Sequence, residues 1–127
     1  MSYDDLNKKL KEIKIEDYIW IIYIIIIFLS WYSNSLERKY FIFNDIESKS
    51  KYRNIIIFIF SILVIVYLYF LKSSYDDIRN IDFKCMSEKD YLLILSFIAS
   101  LMIFISGIIF LYIAYKDKDI NVELAFN

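Results

Sequence analysis

Three long stretches of this chain carry no charged residue, and its charges collect in the four segments around them. The first stretch, 18–36, reads YIWIIYIIIIFLSWYSNSL; the second, 54–71, reads NIIIFIFSILVIVYLYFL. The third, 91–115, reads YLLILSFIASLMIFISGIIFLYIAY and is 25 residues long. A buried strand is complete within about 4–8 residues, so runs of this length are helical despite their isoleucine. A bilayer interior of roughly 30 Å asks for about 20 apolar residues per helix. In lipid a helix satisfies its own backbone, whereas a lone strand leaves it unpaired. A transmembrane barrel needs alternating polarity over many more strands than these. The expected fold is all-α: an integral membrane protein with three transmembrane helices and a short N-terminal amphipathic helix. The whole chain, 1–127, reads as one membrane domain. Its parts are an amphipathic segment at 1–17, spans at 18–36, 54–71 and 91–115, loops at 37–53 and 72–90, and a tail at 116–127.

Composition narrows the chemistry. Hydrophobic residues make up 59% of the chain, against about 45–50% in ordinary soluble domains. With no proline and one glycine, other residues must make the turns. With no histidine and one cysteine, the common zinc sites, the Ser-His-Asp triad, Cys-His nucleophile pairs and an intrachain disulfide are excluded. Fifteen Lys and Arg stand against sixteen Asp and Glu, which lacks the basic excess of a nucleic-acid binder. No ionisable group falls inside the three spans, and such groups are the usual mark of ion paths and proton relays. Asp76 and Asp77 are adjacent carboxylates that point apart on a helix, and they read as a solvated turn. The expectation is no enzyme, no catalytic or metal site and no cofactor.

Aromatic residues gather at the span ends, as rings with one polar edge do in the headgroup zone. The expected interface anchors are Tyr18, Trp20, Trp31, Tyr32, Tyr91, Tyr112 and Tyr115. Tyr67 and Tyr69 sit near the end of the second span. Tyr23 lies too deep for that belt. Before the first span, Tyr3, Leu6, Leu10 and Ile13 recur at helical spacing among lysines and acids, with Ser2 and Asp5 placed to begin a helix. This segment reads as a surface-lying amphipathic helix or a charged tail. Acids flank the first apolar run directly, so an uncleaved span is expected rather than a signal peptide.

The first loop holds Arg38, Lys39, Lys49, Lys51 and Arg53, and an apolar patch from Tyr40 to Phe43. The patch dips into the interface, or the first helix continues past Leu36 and lays it against lipid. Ser87 is placed to cap the third span, with Asp90 three residues on. Orientation is nearly balanced: the N-terminal segment and second loop share eight Lys and Arg, and the first loop and tail share seven. The net positive first loop points to the cytoplasm. The outward Cys85 that follows argues the other way.

One pattern suggests packing. Ser96, Ser100, Gly107 and Ala114 lie along one face of the third span, flanked by Ala99 and Ser106. Small residues let helix backbones approach closely, which drives association in lipid. The third span is therefore the expected packing core, meeting the other spans or a second copy.

The strings WYSNSLERKY at 31–40, SGIIFLYIA at 106–114 and ELAFN at 123–127 resemble small, uncharacterised three-span membrane proteins of low-GC Gram-positive bacteria. The resemblance implies a multi-pass protein of the bacterial plasma membrane and brings no functional residues with it. The expected role is a non-enzymatic accessory or assembly subunit packing through the third span. The alternatives are a holin-like pore former or a membrane immunity protein. The expected partners are the lipid bilayer and a second copy or another membrane protein, with no nucleic acid.

Overall fold

The structure is a computed structural model, and it describes residues 2–116. Three α-helices follow one another: α1 (Tyr3–Phe43), α2 (Ile46–Ile78) and α3 (Glu88–Lys116). No strand occurs among the described residues. The all-α expectation holds. Two helices, α2 and α3, are long and apolar enough to cross a membrane.

The boundaries between elements differ from those read in the sequence. The amphipathic segment is not a separate helix, because α1 runs unbroken from Tyr3 through the first uncharged stretch to Phe43. Its apolar stripe of Tyr3, Leu6, Leu10 and Ile13 is exposed. The expected loop at 37–53 is almost entirely helical, as α1 extends to Phe43 and α2 begins at Ile46. The continuation of the first helix past Leu36 is the arrangement found. The first seven residues of the expected loop at 72–90 belong to α2. The reason is common to all three cases. Charge ended the apolar stretches, but charge does not end a helix. Lys, Arg and Glu are good helix formers, and neither glycine nor proline interrupts these segments.

What does end α1 is Asn44. It adopts the left-handed conformation, φ 53° and ψ 39°, and is the only non-glycine residue with positive φ among those described. Asparagine tolerates this region better than other side chains that carry a Cβ. Asp45 then starts α2. Its Oδ1 accepts from the Glu47 N–H at 3.2 Å, and its Oδ2 accepts from the Ser48 hydroxyl at 2.9 Å. The Lys39 ammonium lies 3.8 Å from the same carboxylate. The Ser48 bond first, then the Glu47 N–H and Lys39, hold the Asp45 carboxyl below its ordinary value of 3.8, against a smaller opposing push from lost hydration.

The other two helix starts follow the sequence. The Ser2 hydroxyl accepts from the Asp5 N–H at 3.2 Å. At α3 the exchange is reciprocal: the Asp90 N–H donates to the Ser87 hydroxyl at 3.3 Å, and the Ser87 N–H donates to the Asp90 carboxylate at 3.1 Å. This is a capping box with Asp in the place usual for Glu. Between α2 and α3 the chain turns around Asp82, whose carbonyl accepts from the Cys85 N–H and whose carboxylate accepts from the Lys84 N–H.

The chain divides into two compact units between Ile55 and Ile56, inside α2. In the first, Ile19, Ile26 and Ser33 are buried at intervals of seven along α1, joined by Leu36. Ser48 and Tyr52 are buried at the start of α2. In the second unit, α2 buries Ile56, Ile59, Phe60, Leu63 and Val66, and α3 buries Gly107 and Ala114.

Candidate functional site

The candidate site is the face of α3 that meets α2 within the second unit. Along α3 beyond its capping turn, the less exposed positions are Leu93, Ile94, Phe97, Ser100, Phe104, Gly107, Phe110, Leu111 and Ala114. Steps of three and four residues keep such positions on one side of a helix.

Gly107 lies close against α2. A Cβ built there lies 3.0 Å from Tyr67 Cδ2 and 3.4 Å from Val64 Cγ2. One edge of the Tyr67 ring stands where a larger residue would need room. One turn on, Phe110 stacks on Phe60 at 5.6 Å between ring centres and 12° between planes. In the other direction, the Ser100 and Ser74 hydroxyls share a hydrogen bond of 3.1 Å. Beyond it, Phe97 meets Tyr75 at 6.1 Å. Residue numbers rise along α2 as they fall along α3 through these pairs, so the two helices are antiparallel.

The expected packing residues divide as follows. Gly107 and Ala114 are buried, Ser100 is half-buried and hydrogen-bonded across the pair, and Ser96 is exposed. Leu93 and Phe97, on either side of Ser96, are less exposed, so Ser96 stands beside the covered line and not on it. The face that small residues make is thus occupied by α2 of the same chain. Ala99 and Ser106, the flanking small residues, are both exposed. The Ser106 hydroxyl is satisfied within its own helix by the Met102 carbonyl at 2.9 Å, as Ser61 is by Ile57 at 2.7 Å. Such back-bonding lets a serine stand on an apolar surface without an external partner.

The expected interface anchors share one property. Tyr18, Trp20, Trp31, Tyr32, Tyr91, Tyr112 and Tyr115 are all exposed, each with more than half of its surface open. None is drawn into the packing. Tyr23 is half-buried, and its ring meets Trp20 edge-on at 5.7 Å.

Family models, curated proteins and solved structures offer no match to the chain.

Two features of α1 were not anticipated. Ser33 is completely buried, and the hydroxyls of Ser30 and Ser33 are enclosed without a hydrogen-bond partner among the described residues. Their spacing of three, on the side of Ile26, is the signal that marks them; a small-residue search confined to the third span passes over it. Asp45, which begins α2, is one of three acids in the segment 37–53, and no spacing in the sequence singles it out.

Proposed function

We propose that this chain is a multi-pass protein of the plasma membrane, crossing at 18–36, 54–71 and 91–115. Its role in this reading is that of a non-enzymatic accessory or assembly subunit. The supporting observation is the surface of α3. Only 6% of its apolar stretch is buried within the chain, and Leu92, Leu95, Ile98, Met102 and Ile109 face outward. A continuous apolar surface of that length is stable only against lipid or another apolar chain. The exposed aromatic residues at the span ends fit the same setting, since they present ring faces where headgroups begin.

The packing of α3 on α2 sharpens the partner question. Gly107 and Ala114 serve contact within the chain, so a partner helix must use another side of α3. Ala99 and Ser106, two turns apart and exposed, make the shallowest part of the outer surface. A bilayer-embedded partner helix would approach most closely there.

Purification of the tagged full chain in mild detergent, with identification of co-purifying proteins, tests the role. A stoichiometric membrane-protein partner supports an assembly subunit. A homo-oligomer alone, with loss of membrane potential on induced expression, replaces this reading with a pore former. Recovery of the protein in the supernatant after cell fractionation removes the membrane assignment itself.

A further inference from the structure

The connection between α1 and α2 brings cations to one level. Arg38 and Lys39 follow the last residue of the first uncharged stretch, Leu36, and Lys51 and Arg53 precede the first residue of the second, Asn54. Both segments are helical. At about 1.5 Å per residue, these positions stand within roughly 5 Å of the ends of the apolar stretches. A headgroup layer is roughly 5–7 Å deep on each side of the hydrocarbon. Of the acids on this connection, only Glu37 shares that level. Asp45 and Glu47 lie farther out, at the turn.

Arg38, Lys39 and Lys51 are exposed. Lys39 and Lys51 reach outward to Asp45 at 3.8 Å and Glu47 at 3.5 Å; both lysines are open to solvent, as is Glu47, while Asp45 is half-buried. Exposed pairs of this kind are weak and screened by salt, so either ammonium can exchange its carboxylate for a phosphate. The opposite end of α1 offers a contrast. Lys8, Lys9, Lys11 and Lys14 are outnumbered there by Asp4, Asp5, Glu12, Glu16 and Asp17.

We propose that the α1–α2 connection binds the phosphate headgroups of anionic phospholipids through Arg38, Lys39 and Lys51. This rests on the membrane reading given above. The occupant follows from charge and depth together: a layer of fixed phosphates at the level where cations outnumber carboxylates. Neutral headgroups supply no net charge to answer them.

The test uses the full chain in phosphatidylcholine vesicles carrying a trace of spin-labelled phosphatidylglycerol or spin-labelled phosphatidylcholine. A cation at a charged surface contributes roughly a fivefold preference before pairing is discounted, so a several-fold selectivity for phosphatidylglycerol is expected. It should fall with added salt. The variant R38Q/K39Q/K51Q should bring the ratio close to one, and K8Q/K9Q/K11Q should leave it unchanged. Equal association of the two lipids with the unaltered chain, or equal loss in both variants, overturns the proposal while the membrane reading stands. Failure of the chain to enter vesicles at all overturns both.

Discussion

Asn44 carries a burden that glycine usually bears. It is the only described residue other than glycine in the left-handed region, and it closes a helix 41 residues long. Asn44→Gly should preserve thermal stability in detergent. Asn44→Val should lower it, because a β-branched side chain in that conformation costs about 1–2 kcal/mol; equal melting of the two variants would show that the turn relaxes. Asp45 adds a dependence on pH. Its carboxyl is held below the ordinary value of 3.8, so its contribution is present above that value and fades as pH falls through the lowered one. Asp45→Ala should be less stable than the unaltered chain at neutral pH, with the gap closing in acid. A gap that stays constant down to strongly acid pH would contradict this account. Ser87→Ala removes one half of the α3 capping box and should cost about 1 kcal/mol, read from the same melting curves.

At the scale of the helices, α2 and α3 approach closely where Gly107 meets the Tyr67 ring. Gly107→Ile forces side-chain atoms into the space of Tyr67 and Val64 and should destabilise the chain by about 1–3 kcal/mol. Pairing it with Tyr67→Ala should recover part of that loss, and strict additivity in the double-mutant cycle would place the contact elsewhere. The existence of these helices was legible in the sequence because uncharged runs of this length admit few other solutions. Their ends were less legible. Lysine and glutamate signal the edge of an apolar stretch, yet they prolong a helix readily, so α1 and α2 extend well into segments that read as loops. Gly107 and Ala114 were legible as a packing pair because close approach needs small side chains. Ser96 shares their spacing but stays exposed, because the covered line of α3 runs through Leu93, Phe97 and Ser100 and leaves Ser96 beside it. The Ser30 and Ser33 pair is less legible, because its spacing of three is short and lies in the first span, away from the longer small-residue stripe of the third.

At the scale of the whole chain, α2 is a single helix of 33 residues, with the Asn44 turn before it and the segment around Asp82 after it. If α2 crosses a bilayer, these two connections lie on opposite sides. Counting basic residues nearly balances the two orientations, whereas Cys85 offers a direct reading. It is exposed and is the sole cysteine of the chain. A thiol reagent unable to permeate membranes can therefore modify this polypeptide at one position only. Modification in intact cells would assign the α2–α3 connection to the outer surface and the cationic α1–α2 connection to the cytoplasm. Protection until the cells are lysed would assign the reverse, so the native protein carries its own reporter of sidedness.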